Sequence, residues 1–260
     1  MKEAQSSLTV AAVRQWAKRL RLPTLAGECA RMAEQAAKEK WGPLEYLESL
    51  LEAEVQERDR HVTERRLRDA HFPTTKTMEE FDFEIASHLP AAQLRQLAEG
   101  DYIQRRQPVI FLGDTGTGKT HLATALAVAA CRQRRRVRFV TTADLVTELI
   151  ESKERNELGR VVARWSRYEL IVLDEWGYVQ MKEAAVELLF QVISARAERA
   201  AVVLTTNLPF SEWSTMFPNA RLCKAMVDRL ADQASIIETG TESYRLLRTM
   251  KLKKAKGQTR

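Results

Sequence analysis

Residues 109–121 read Val109-Ile-Phe-Leu-Gly113-Asp-Thr-Gly-Thr-Gly-Lys119-Thr120-His121. An apolar run of strand type stops at Gly113, two more glycines follow, and a Lys-Thr pair closes the stretch. From Gly113 to Thr120 the spacing is G-x-x-x-x-G-K-[ST]. Successive backbone N–H groups can curl around a phosphate only where side chains do not obstruct them, hence the glycines. The helix predicted by THLATALAVAACRQ aims its positive N-terminal end at the same anion. Lys119 is placed to reach the β- and γ-phosphates, and Thr120 to hold Mg2+. The expected nucleotide-binding residues are therefore Gly113, Asp114, Thr115, Gly116, Thr117, Gly118, Lys119, Thr120 and His121. The expected ligand is a nucleoside triphosphate.

Outward from this loop, apolar runs alternate with helical patterns. VIFLG, VRFVTT, LIVLDE, AVVLTTN and SIIET read as strands. They are continuous apolar runs without alternation, the mark of burial on both faces. Helices between them imply a parallel α/β sheet sandwiched by helices. LIVLDE ends in Asp174 and Glu175. Asp174, at the carboxyl end of its strand, is expected beside the magnesium, and Glu175 is placed to polarise an attacking water. Asn207 ends AVVLTTN and can hydrogen-bond that water or the γ-phosphate; alone, an Asn after a strand is equally a turn residue. A strand inserted between the phosphate loop and the Asp-Glu strand, with a polar-ended strand next, is the order of ATPases that use a catalytic glutamate. It disfavours GTPases and small-molecule kinases, and no base-reading NKxD-like motif is found.

Before this region, residues 7–70 are helical in pattern, a small all-α N-terminal part. SLTVAAVRQWAKRL puts Leu8, Val13, Trp16 and Leu20 on one face. After WGP a helix can start at Pro43, with Leu44, Leu47, Leu51 and Val55 as an apolar stripe. Its continuation, EAEVQERDRHVTERRLRDA, carries opposite charges three or four residues apart, which suits a solvated helix or one lying along DNA or another subunit. HFPTTKT breaks the period and reads as a linker. The resulting division is 1–75 helical, 76–248 catalytic and 249–260 a basic tail expected to be disordered.

The 260 residues suffice for a substantial core, and the net charge of +6 suits either a polyanionic partner or plain solubility. Cys29, Cys131 and Cys223 lack metal-ligand spacing and read as reduced thiols. With no signal-peptide core and no membrane-length apolar run, a cytoplasmic protein is expected. Two late arginines stand out, Arg229 in KAMVDRLAD and Arg245 in TESYRL. Each is either a cation for the γ-phosphate, as other subunits often supply, or a surface ion pair with Asp228 or Glu242 nearby. Candidate DNA-contacting cations are Lys153, Arg155, Arg160 and Arg164, and the arginines of RQRRRVR, where a solvated turn is the other reading.

The stretches FLGDTGTGKTHLATALA, VRFVTTADLV, LIVLDEWGY, LFQVISARAERAAVVLTTNLPFSEW, KAMVDRLAD and ESYRLL resemble the IstB/DnaC-like group of AAA+ ATPases. The helical leader LRLPTLAGECARMAEQAAKEKWGPLEYLESLLEAEVQERD is similar to that of the IstB branch, the ATPase helpers of insertion-sequence transposition. The resemblance implies an AAA+ P-loop fold, ATP and Mg2+ as cofactors, self-assembly on duplex DNA irrespective of sequence, and delivery of a target site to a partner transposase. It implies that Gly113–Thr120 is the Walker A loop, Asp174-Glu175 the Walker B pair and Asn207 sensor 1. It also implies that Arg229 is an arginine finger for a neighbour's ATP and Arg245 is sensor 2. A DnaC-like helicase loader is the alternative within the group. Departures are Trp176 after Asp-Glu, where an aliphatic residue is usual, the loop EWSTMFPNARLC without a Gly-Asp turn, and too little chain after Arg229 for a helical lid.

Overall fold

Each of the five apolar runs is a strand, and all five join one parallel sheet. In a computed structural model, which describes residues 2–177, 182–196, 200–217 and 219–257, the strands are β1 (Val109–Leu112), β2 (Val137–Thr141), β3 (Leu170–Trp176), β4 (Ala201–Thr206) and β5 (Ser235–Glu238). Their order across the sheet is β2-β3-β4-β1-β5. Every residue of β4 is buried, as burial on both faces requires of a central parallel strand. Strand β4 runs between β1 and β3, so the phosphate loop after β1 and the Asp-Glu pair of β3 flank its carboxyl end.

The crossover helices are α6 (Lys119–Arg132), α7 (Thr142–Glu154), α8 (Leu158–Trp165), α9 (Glu183–Arg196) and α11 (Ala220–Ala231), with a short α10 (Trp213–Met216) before the last. Two cores result, one on each face of the sheet. Phe111, Leu122, Leu126, Phe139 and Val203 build the α6 side. Ile110, Leu149, Trp165, Leu189, Leu204 and Trp213 build the other. Ahead of β1 lie α4 (Ala91–Ala98) and a short α5 (Asp101–Arg105).

The N-terminal helices are α1 (Lys2–Arg19), α2 (Pro23–Glu39) and α3 (Pro43–Asp69). Chain contacts define two compact units, Met1–Arg65 and Arg66–Arg260. The first unit has a small core of Cys29, Met32 and Leu50. Its polar anchor is Glu54, buried, which accepts from the amides of Thr24 and Leu25 at 2.8 and 3.0 Å and pairs with Arg58 at 2.9 Å. Those bonds satisfy the donors that open α2, whose Ncap is an apolar Leu22. The apolar stripes face outward instead: Leu8 is 74% exposed, Leu20 69% and Leu44 80%. Farther along α3 the charges pair within the helix, Arg60 with Glu57 and Glu64.

At the other end, the tail expected to be disordered is helical: α12 runs Tyr244–Gly257. Lys251 holds it to the chain before β1, donating to Asp82 at 2.7 Å and Glu84 at 3.0 Å. The residues of HFPTTKT belong to the second unit, where Pro73, Thr74 and Lys76 line the cavity beside the phosphate loop. The three cysteines are free and buried.

Phe111 is fully buried in β1, between β4 and β5. Phe111→Ala should destabilise the second unit by about 3–5 kcal/mol, read as a lowered denaturation midpoint with unchanged slope; a shift under about 1 kcal/mol would contradict this placement of the core.

Candidate nucleotide-binding and hydrolysis site

The phosphate loop is held in its curve by contacts from the far end of the chain. The amide of Asp114 donates to the Gly240 carbonyl at 3.0 Å, and the Arg245 amide to the Gly116 carbonyl at 3.2 Å. The hydroxyls of Thr117 and Thr239 bond each other at 2.6 Å. Two glycines are irreplaceable here. Gly116 has φ +88°, and a Cβ on it would lie 2.7 Å from the Ser243 hydroxyl. Gly118 has φ +102°, and its Cβ would lie 2.8 Å from the Phe81 ring. That ring stacks on Tyr244, with centroids 4.4 Å apart.

A cavity of about 520 Å³ opens beside the loop, lined by Lys119, Thr120, His121, Arg245, Arg248 and Lys76 among others. The α6 N-terminus and these cations make it suited to a polyphosphate. Lys119 Nζ donates to the carbonyls of Gly113 and Asp114, both at 2.8 Å. Burial lowers its ammonium pKa, opposed by Asp174 and Asp114. His121 sits edge-on to Phe81, its Nε2 3.0 Å from the Thr77 carbonyl, and burial lowers its pKa too.

At the carboxyl end of β3 the Asp174 carboxylate is buried. Its Oδ1 accepts from Thr120 Oγ1 at 3.0 Å and Thr205 Oγ1 at 2.5 Å. Burial raises its pKa, and the Thr205 and Thr120 hydroxyls pull in the other direction. Thr205 also accepts from the Glu175 amide at 3.0 Å. Between Leu173 and Trp176 the ladder to β4 slips, so β3 carries an extra residue there, a bulge of the kind that re-aims a side chain. Glu175 lies within it at φ +60°, its side chain exposed while Asp174 and Trp176 are buried. The strained backbone turns the second carboxylate out of the sheet.

Thr120 and Asp174 place a hydroxyl and a carboxylate oxygen side by side, a hard donor set that fits Mg2+. Among the described residues no cluster of three His, Cys, Asp or Glu could cage a metal. Asn207 follows β4 next to Thr206, whose carbonyl accepts from the Gly113 amide at 3.2 Å. Its Oδ1 is buried without a hydrogen-bond partner among the described residues, a free acceptor at the edge of the loop.

Lys119, Thr120, His121 and Arg245 thus line one cavity; Asp174 joins them through its bond to Thr120, while Glu175 and Asn207 lie at the ends of β3 and β4 outside that lining. Arg229 is elsewhere. It stacks over Phe190 at 5.1 Å and lines a concavity with Arg105, Pro108 and Gln233, at the amino ends of β1 and β5. The phosphate loop leaves the opposite end of β1. Thr205, Ser243, Tyr244 and Phe81 escaped the sequence reading, since a hydroxyl inside an apolar strand and an aromatic outside any motif carry no local signal. Trp176 and the unusual 212–223 loop account for each other: Trp176 and Trp213 are both fully buried, with centroids 5.4 Å apart, and Phe217 closes the cluster.

Residues 15–252 match the family model described as IstB-like ATP binding protein. The chain belongs to this family. It is 37% identical to an insertion-sequence ATP-binding protein of Sinorhizobium fredii, covering 92% of this chain and 80% of that one. It is 36% identical to the IS21 ATP-binding protein of Pseudomonas aeruginosa, covering 88% and 86%. Among solved structures it is similar to a DNA replication initiation factor (TM-score 0.57, 18% identity, 70% of this chain and 54% of that one). It is also similar to the DnaC helicase loader (TM-score 0.53, 17% identity, 62% and 95%). The fold is that of the AAA+ ATPases. Among the described residues no helix is long and apolar enough to cross a membrane.

Two outcomes follow for this IstB-like ATPase. Thr205→Val keeps the shape but removes the hydroxyl between Asp174 and Glu175, so kcat for ATP should fall about 10–100-fold with nucleotide affinity nearly unchanged, as read by steady-state kinetics and fluorescent-nucleotide titration. Because Asp174 has a raised pKa in the folded chain, its ionised form costs stability at neutral pH. Asp174→Asn should therefore raise the melting temperature of the nucleotide-free protein while abolishing hydrolysis; a lowered melting temperature would refute that sign.

Proposed function

We propose that this chain is an ATP-driven assembly factor that coats duplex DNA and hands a target site to a transposase. The observation that carries the reading is the distance in the fold between Arg229 and the phosphate loop: they occupy opposite ends of the sheet. Within one chain Arg229 has no access to the triphosphate, whereas a second copy set head to tail brings it there. Supporting the transposase partner, the relatives matched over most of the chain are insertion-sequence ATP-binding proteins. Helicase loading has only fold-level likeness in its favour.

In this reading the loop amides, Lys119 and Arg245 hold the triphosphate. Thr120 and Asp174 would hold Mg2+, which when bound would offset charge on the β- and γ-phosphates. Glu175 takes the proton of the attacking water, and Asn207 accepts a hydrogen bond from that water. The neighbour's Arg229 offsets charge that develops on the γ-phosphoryl group. Subunits stay joined while the γ-phosphate is present, and hydrolysis loosens the junction.

Size-exclusion with light scattering should show a large complex on duplex DNA in ATP and small species in ADP. Lys119→Ala should abolish it; assembly without nucleotide would sink the proposal. Arg229→Ala should lower ATP turnover roughly 10³-fold, and mixing it with Lys119→Ala should restore part of the activity, since an intact loop then meets an intact arginine across a junction. Two dead variants whose mixture stays dead would place Arg229 outside the site. Glu175→Gln should slow hydrolysis roughly 10²–10⁴-fold and trap the ATP-bound assembly on DNA.

A further inference from the structure

The cations singled out for DNA contact are largely spoken for. Arg155 pairs with Glu151 at 3.1 Å and Arg160 with Glu157 at 3.0 Å, each within its own segment, and Arg164 pairs with Glu148. A concentration of positive charge that takes in two of the candidates, Arg164 and the Arg136 of RQRRRVR, lines a cavity of about 300 Å³ at the amino end of edge strand β2. Arg66 near the end of α3, His71 in the turn after it, Arg136 just before β2, and Arg164 and Arg167 at the end of α8 converge on it. Asp69 is the acidic residue of its lining.

Compensation inside the cavity is partial: Arg164 is paired with Glu148, Arg136 shares Glu169, and Asp69 stands in the lining, while Arg66 and Arg167 have no carboxylate partner among the described residues. Arg66 Nε donates to the Arg134 carbonyl at 3.1 Å, a neutral partner that orients the guanidinium and leaves its charge intact. Glu169 is divided between Arg135 at 2.9 Å and Arg136 at 3.7 Å. Arg167 makes no ion pair among the described residues. Gathering guanidiniums from three sequence-distant segments opposes folding through like-charge repulsion. A concave set of planar forks from separate elements is the chemistry that grips phosphate oxygens. The volume admits phosphate groups and excludes a folded domain.

We infer that this cavity is a clamp for the phosphate backbone of duplex DNA, in which Arg66, Arg136 and Arg167 fix the strand without reading bases. The inference rests on the proposed assembly on duplex and supplies the residues that hold the strand. A duplex presents a phosphate charge every ~1.7 Å of its axis, so repeated copies of one small clamp can follow it. An acidic peptide offers flexible carboxylates of no fixed spacing and matches a rigid, preformed cavity less well.

The test uses the full-length protein in ATP with a labelled random-sequence duplex, titrated by anisotropy at several salt concentrations. The double variant Arg66→Gln/Arg167→Gln should bind at least tenfold more weakly near physiological salt. The slope of log affinity against log salt should flatten by roughly 0.9 for each phosphate that is no longer neutralised. Nucleotide affinity and DNA-free ATP turnover should be unchanged. Arg167→Gln alone should show the same trend, and Arg167 has no ion pair among the described residues whose removal could unfold the chain. The control Arg155→Gln/Arg160→Gln removes equal charge and should cost clearly less. Equal losses in both pairs, wild-type binding by the double variant, or displacement of the duplex by polyglutamate of matched charge would each overturn the clamp. If the wild-type chain fails to bind duplex in ATP, the proposed function falls with it; if only the arginine variants are silent, the clamp alone falls.

Discussion

A buried carboxylate that must be paid for holds the catalytic end of this molecule together. Asp174 is almost wholly out of solvent, and a charge there persists only if surrounding groups bond to it. The groups that do so are the hydroxyls of Thr120, at the start of α6, and Thr205, in β4. One oxygen therefore registers the phosphate-loop helix, the Asp-Glu strand and the strand between them. The Thr142 hydroxyl adds a fourth element, donating to the Asp174 carbonyl at 3.1 Å. Thr205 in turn holds the amide of Glu175, so the knot that buries one carboxylate also sets the bulge that exposes the next. Two adjacent acids acquire different environments from one hydroxyl, and different environments are what let them take different roles.

The parallel sheet separates the phosphate loop from Arg229 as a geometric consequence. Strand ends of one sense gather at one edge, so the phosphate loop, Asp174, Glu175 and Asn207 collect at the carboxyl ends of β1, β3 and β4. Helix α11 returns the chain to start β5, and its last turn, with Arg229, falls at the amino ends. Strand β1 spans the two edges, and its core residues Val109, Ile110 and Phe111 are fully buried.

The fold was legible because every strand is an uninterrupted apolar run and the phosphate loop carries a motif with a mechanism. The strand bounds agree to within about a residue, and α6 starts at Lys119 as the loop demands. What escaped was whatever depends on partners distant in sequence. Thr205 looks like β-propensity until its hydroxyl is found on Asp174. The lysine-rich C-terminus looks like a solvated tail until Lys251 meets Asp82 and Glu84. The stripes Leu8–Leu20 and Leu44–Val55 have helical spacing, but spacing states that a face is apolar and not what covers it. Arg155 and Arg160 read as candidates for DNA contact although Glu151 and Glu157 stand one helical turn away in the sequence, a spacing legible from the letters that outweighs the bare presence of a cation.

The C-terminal helix bears on how firmly the site is built. Gly116 and Gly118 are short because Ser243 and Phe81 occupy the space their side chains would need, so the loop is moulded against α12 and the segment before β1. Tyr244 stacks on Phe81 and accepts from the Asp82 amide at 2.9 Å, and one turn of the same helix presents Arg245 and Arg248 to the cavity. A helix whose cations line the cavity, packed on the loop and tied down by Lys251, keeps those guanidiniums in place before a ligand arrives, which cuts the entropy lost on binding. Among the described residues no helical lid follows Arg229, and α12 does the fixing at close range instead.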